Sequence, residues 1–266
     1  MRPKRTTSRA SALFCLLGLL AAAAAWSQPD PAGRASAGSS GWNDRLQAAR
    51  AALIAGEHQK ALDSARALQS EMVDQIATGP GAAKSLAVTT LTRALAEAGL
   101  GDMGAAAWDW YTAQTLDPAV LTLDLAPFGA AGAALKALPP LEDHPKTPGP
   151  DDPKDLSKVC GPREQCVQKP ELVKRGDLDY PDALQAACTE GTVVVESIID
   201  ENGNIRYPRL EESPGGPVMA FAALESLRSW RFKPATFEGK PVKVYYTLTV
   251  NFKATSKGCL DRRKAG

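Results

Sequence analysis

Cysteines, histidines and a Glu211-Glu212 pair are the residues of this 266-residue chain whose types could do redox, metal or acid–base chemistry. Their spacing argues against each in turn. The four cysteines beyond the N-terminus, Cys160, Cys166, Cys188 and Cys259, run C-x5-C-x21-C-x70-C, which fits no zinc pattern, and the chain's two histidines, His58 and His144, lie far apart. Cys160 and Cys166 lack the two-residue separation of a dithiol redox motif. Glu211-Glu212 reads as a solvated strand end, and two scattered histidines build no triad. The chain is therefore read as non-catalytic, with no cofactor and no metal. An even number of cysteines in an exported chain points instead to disulfides in an oxidising compartment.

Export is the expectation from the first 27 residues. Arg2, Lys4, Arg5 and Arg9 precede an apolar run from Ala12 to Trp26, and Ala25-Trp26-Ser27 has the small-x-small form of a cleavage site. The alternative is an uncleaved inner-membrane anchor, since residues 10–29 are 20 uncharged positions, the length of a spanning helix. Cleavage removes four positive charges and no negative ones, moving the formal charge from +1 to −3. A near-neutral mature chain gives no reason for nucleic-acid binding, and none for membrane contact unless the segment is retained.

Residues 28–41 have the composition of an unstructured lead-in. From Trp42 to about Leu138 the chain is alanine-rich with helical periodicity, broken at Ala55–His58 and at Gly101-Asp102 and stopped at Pro118. Two helical hairpins with small residues at the crossing, marked by Gly56, Ala61 and Leu62 and then by Gly101, Ala106 and Leu116-Asp117-Pro118, resemble tetratricopeptide repeats. Their turn glycines lie 45 residues apart, where that family repeats at 34. Trp108, Trp110 and Tyr111 are open to two readings, a binding stripe or the core of a plain helical bundle. Residues 139–169 read as a linker leading into the next domain; six prolines fall within 139–153.

The last hundred residues read as strands around one helix. Gly191–Asp200 is β-branched and ends at Asn202-Gly203, a strong hairpin signal; Ile205–Ser213 is the returning strand, and Pro208 inside it implies an edge position or a bulge. A helix over Val218–Ser229 presents Ala220, Phe221, Leu224 and Leu227 as its apolar stripe. The last strand alternates from Val242 to Phe252. With a hairpin, a crossing helix and a third strand, antiparallel pairing gives the order second-first-third and leaves the third strand at an edge. Trp230 and Phe232 pin the join of helix and strand to the core, and Pro234 stops the helix.

Five ordered blocks carry a resemblance: Tyr180–Gln185, Gly191–Ile205, Ala223–Ala235, Gly239–Val242 and Tyr245–Phe252 together resemble the C-terminal domain of the TonB energy-transducer family. The fold implied is α+β: an N-terminal all-α helical-hairpin domain over 42–138, and a small C-terminal domain over 170–253 with a three-stranded antiparallel sheet packed by helices, followed by a tail at 254–266. The resemblance implies a periplasmic protein that grips an extended peptide of an outer-membrane receptor, or of another envelope protein, by strand addition to its last strand, at Val244, Tyr245, Tyr246, Thr247, Leu248 and Thr249. It also implies a helix from Tyr180 to about Cys188, while the helical hairpins are left to hold a second protein partner. Departures from the family are the absence of any histidine before His58, the short proline-rich stretch, and a helical module where the family has its spacer. Of the three cysteine pairings, Cys160 with Cys166 is preferred for proximity, and Cys188 with Cys259 because both flank one small sheet.

Overall fold

Leu46, Ala49 and Leu53 recur at helical spacing and are buried together, and around them the chain folds into two antiparallel helical hairpins. The computed structural model describes residues 37–75, 81–139, 141, 167–237, 239–255 and 259–260. The hairpins comprise α1 (Ala37–Ile54), α2 (His58–Gln75), α3 (Ala82–Gly99) and α4 (Met103–Leu116). The Asp102 carboxylate caps α4 by accepting from the Ala105 N–H at 3.0 Å. Two short 3-10 turns, Pro118–Thr122 and Ala126–Phe128, lead to α5 (Gly129–Lys136), which packs on α3. Trp108, Trp110 and Tyr111 are buried, so of their two readings the core one holds.

The second half contains β1 (Glu171–Lys174), α6 (Asp182–Ala186), β2 (Gly191–Ile199), β3 (Ile205–Glu212), α7 (Gly216–Arg228), β4 (Arg231–Lys233), β5 (Ala235–Phe237), β6 (Lys240–Val242) and β7 (Val244–Phe252). The main sheet has the order β3-β2-β7, antiparallel throughout, as the second-first-third pattern anticipates. Two small ribbons, β1-β4 and β5-β6, flank it.

α7 is buried almost all round: besides Ala220, Phe221, Leu224 and Leu227 it hides Val218, Met219, Ala222 and Ala223. A helix apolar on every side needs cover on every side. The sheet supplies one cover, through β2 and β3, and the helical module the other, through α3 and α4. α3 is sheathed in the same way, and the hydroxyls of its buried Thr89, Thr90 and Thr92 donate to carbonyls four residues back at 2.8, 2.7 and 2.9 Å. These bonds satisfy polar groups that would otherwise be costly to bury.

Several boundaries differ from the sequence reading. Helix α1 begins at Ala37, inside the stretch expected to be unstructured, because an established helix gains one hydrogen bond per added residue and carries weak formers such as Gly38 and Ser39. The last strand starts at Val244 and not at Val242, which pairs with Ala235 in the β5-β6 ribbon. The helix expected over Tyr180–Cys188 is confined to Asp182–Ala186, because Pro181 before it has ψ 134° and Cys188 after it turns to φ 55°, both outside the helical region. Both ends of the expected linker are packed. Leu141 is buried, the Pro139 carbonyl accepts from the Tyr111 hydroxyl at 3.0 Å, and Gln168 bridges to Thr236. Residues 1–27, Cys160, Cys166 and His144 lie outside the described residues. Among those described, no helix is long and apolar enough to cross a membrane.

Candidate peptide-binding edge

β7 owes its form to strict alternation. Val244, Leu248, Val250 and Phe252 are buried, while Thr247, Thr249 and Asn251 are exposed on the other face. Nine residues pair with β2 without a register shift, from Val244 opposite Ile199 to Phe252 opposite Gly191. Among the described residues no strand pairs with β7 on its other side. The N–H and C=O groups of alternate residues along these nine positions therefore line that side, the arrangement to which another strand adds.

Of the residues expected at the site, Val244 and Leu248 are core. Tyr246 is half-buried, its ring edge-to-face with Phe232 at 5.7 Å. Tyr245 is half-buried, and Thr247 and Thr249 stand in solvent.

Both ends of β7 are anchored. At its start the Lys243 ammonium lies 3.7 Å from the Glu201 carboxylate of the β2–β3 turn. That turn is built on Asp200, whose carboxylate accepts from the Asn202 and Asn204 N–H groups at 2.9 and 2.8 Å and from the Arg206 guanidinium at 3.0 Å. Burial works against the ionised form, but the Asn204 and Arg206 hydrogen bonds prevail and hold the Asp200 carboxyl below the usual carboxylate range. Gly203 has φ 79°, and a Cβ there would sit on the Phe232 carbonyl, so only glycine serves. The Phe232 N–H in turn donates to the Gly203 carbonyl at 2.9 Å, tying the turn to β4.

Beyond β7 the tail folds back: the Ala254 N–H donates to the Glu190 carboxylate at 2.8 Å, and Cys259 is joined to Cys188 by a disulfide with Cα atoms 5.5 Å apart. The Tyr180 ring packs edge-to-face on Phe252 at 5.2 Å. Of the tail expected at 254–266, Ala254 and Cys259 are thus part of the fold. Trp230 and Phe232 are buried, the Trp230 indole N–H donating to the Ser226 hydroxyl at 3.1 Å and the Arg175 guanidinium lying 4.8 Å from its ring. Phe232 supports β7 through Tyr246.

The opposite edge is closed. Glu196 faces Arg209 and Ile198 faces Arg206, so Tyr207 and Pro208 together stand opposite the single residue Ser197, a bulge with Tyr207 at φ 51°. Pro208 donates no N–H, its carbonyl accepts from the Thr115 hydroxyl at 3.1 Å, and the Tyr207 ring meets Tyr111 at 5.0 Å. The expectation of an edge or a bulge at Pro208 is met by both. Sequence reasoning missed Asp200, Glu190 and Thr115, whose partners are set by the fold; only the Asp-x-Asn-Gly-Asn run of the turn carried a local signal.

Comparison with known proteins decides what this edge resembles. Residues 177–254 match the family model of the Gram-negative bacterial TonB protein C-terminal. Protein TonB of Vibrio cholerae serotype O1 is 30% identical over 105 residues, 39% of this chain and 43% of that protein. Protein TonB of Xanthomonas campestris pv. campestris strain B100 is 30% identical over 73 residues, 27% of this chain and 33% of that protein. The chain spans less than half the length of these two relatives. The match takes in α6, the main sheet, α7 and both ribbon strands β5 and β6, and stops at the tail residue Ala254. The TonB-like domain therefore includes the whole of the open edge.

Proposed function

We propose that the chain is an exported, non-catalytic binding module of envelope transport, whose TonB-like domain takes up an extended peptide from an outer-membrane receptor, or another envelope protein, on β7. The observation that carries this reading is an unshifted nine-residue edge strand beside a second edge that is bulged and covered. Affinity comes from main-chain hydrogen bonds along β7, and the alternating Thr247 and Thr249 side chains meet the ligand on the wet face. Lys243, held at the start of the strand, discourages indiscriminate edge pairing. A second protein partner has the exposed side of α1 open to it, and that of α2 away from its contact with α6.

A membrane-anchored transducer is the second reading, favoured by the 20 uncharged residues of 10–29. N-terminal sequencing of the mature chain separates the two, since a start near Gln28 excludes an anchor.

The strand-addition reading is tested with proline. Thr247→Pro and Thr249→Pro each delete an edge N–H, while Thr247→Val keeps the ladder. With folding verified by circular dichroism, the proline variants are expected to weaken capture of envelope peptides about fivefold or more and the valine variant to leave it within twofold, each lost hydrogen bond contributing about 1 kcal/mol or more. A folded proline variant that binds at wild-type affinity rules the reading out.

A further inference from the structure

α7 carries Glu225 and Arg228 three residues apart, hence on one face, and that face is turned toward the helical module. There the Arg228 guanidinium bridges two carboxylates, with one nitrogen 2.9 Å from Glu97 of α3 and the other 2.9 Å from Asp109 of α4. Glu225 does the converse, lying 3.2 Å from the Arg93 guanidinium, which itself holds Asp109 at 2.9 Å and is bonded to Gln69. Arg66 of α2 closes the group at 3.4 Å from Glu97. Side-chain exposure falls to 0% at Asp109, 3% at Glu97 and 5% at Arg93.

The charges balance twice. Three arginines face three carboxylates over the whole group, and each module is neutral alone: Arg66 and Arg93 with Glu97 and Asp109 on one side, Arg228 with Glu225 on the other. Burial opposes the charge on Arg228, yet the Asp109 and Glu97 carboxylates keep its guanidinium more firmly protonated than usual. A wholly apolar contact tolerates sliding by a turn. Two opposite charges three residues apart, each seated against a buried partner, allow one register, because any displacement strands a buried charge.

We propose that Glu225 and Arg228 are positioning residues that lock the helical module and the TonB-like domain into one cooperative body of fixed orientation. The helices then set the direction in which β7 faces, a consequence that rests on the strand-addition reading. The coupling itself does not rest on it and is measured without peptide.

The test is hydrogen exchange of the full-length chain across a urea series, with α3 amides reporting one module and β2 amides the other. In the wild type both sets are expected to open at one midpoint. In Arg228→Gln, which leaves Asp109 and Glu97 short of a partner, the two midpoints are expected to part by about 1 M urea or more, the β2 set opening first. Arg231→Gln, an exposed arginine outside the group, is expected to leave them coincident. The conservative Arg228→Lys cannot bridge two carboxylates in the same fork and is expected to part the midpoints partially. Separate midpoints in the wild type overturn the proposal, even if no variant folds. So does an Arg228→Gln variant whose midpoints fall together, since the group then adds stability without coupling. A wild-type chain whose modules open together but which captures no envelope peptide would count against the strand-addition reading alone.

Discussion

β3 and β7 are the two edges of one three-stranded sheet and pair to the same central strand, yet one is bulged and covered while the other meets no further strand among the described residues. β3 is bulged at Tyr207 and Pro208 and lies under α4, where Thr115 and Tyr111 take its carbonyl and its ring. β7 keeps an unbroken register and meets solvent through Thr247, Thr249 and Asn251. The difference teaches that an edge is made available by what is absent from it. Exposed edges invite aggregation, and a fold that keeps one open closes the other by several independent means.

The largest way to break the comparison is to remove part of the core that both edges share. Trp230 is buried in that core, hydrogen-bonded to Ser226. Trp230→Ala is expected to cost roughly 3 to 5 kcal/mol in urea unfolding, with peptide capture lost only in proportion to the unfolded fraction. Lost capture at an unchanged midpoint would make the indole a ligand contact instead.

Next in size is the disulfide that anchors the far end of β7. Replacing Cys188 and Cys259 together by serine frees the tail and enlarges the unfolded ensemble, at a cost of about 2 to 4 kcal/mol. Exchange is expected to rise most at β7 residues near Phe252, because the turn of Asp200 still holds the other end. Uniform loss along the strand would show that the disulfide acts on the whole domain and not on the open edge.

A smaller effect belongs to Asp200, the organiser of that turn. Its carboxyl is held below its unfolded value, so its contribution is present above the unfolded carboxylate pKa near 4 and is lost as pH falls through the lower folded value. Asp200→Asn is expected to be less stable than wild type at pH 7 and to converge with it below about pH 4, as thermal unfolding at a series of pH values would record. Parallel curves throughout would mean that the hydrogen bonds, and not the charge, organise the turn.

Much of the β7 side was legible because its determinants are local. The Asn202-Gly203 turn, the alternation from Val244 to Phe252 and the aromatic pair at Trp230 and Phe232 each lie within a dozen residues of what they organise, and strand order followed from pairing preference. The closure of β3 was half legible. Pro208 announced a bulge, but Thr115 lies 93 residues away in sequence, and nothing local links them. The docking of the two modules was hidden for the same reason, Arg228 and Glu97 being 131 residues apart. A trace existed nonetheless. α7 is too apolar for a helix covered on one side only, with Val218, Met219, Ala222 and Ala223 outside the expected stripe, and α3 sets Arg93 and Glu97 in the alanine- and leucine-rich run from Leu91 to Ala98.

The smallest expected effect sharpens the comparison most. Pro208→Val restores a backbone N–H and a β-branched side chain to β3, as though to make it resemble β7. If proline alone closed this edge, the variant would gain a second site for an extended peptide, or would self-associate through β3. Two features of the structure oppose that outcome. The carbonyl of residue 208 still receives the Thr115 hydroxyl, and Tyr207 remains at φ 51° with its ring against Tyr111, so the bulge and the cover of α4 both persist. The expected result is a stability change within about 0.5 kcal/mol, a sedimentation profile unchanged from wild type and peptide binding at one site per chain. Two sites per chain would make proline, and not the helical module, the guard of β3. In that event Tyr111→Ala and Thr115→Ala should leave the wild-type edge closed, whereas cover by α4 requires that they loosen it, seen as faster exchange at residues 205–210 with β7 unaffected.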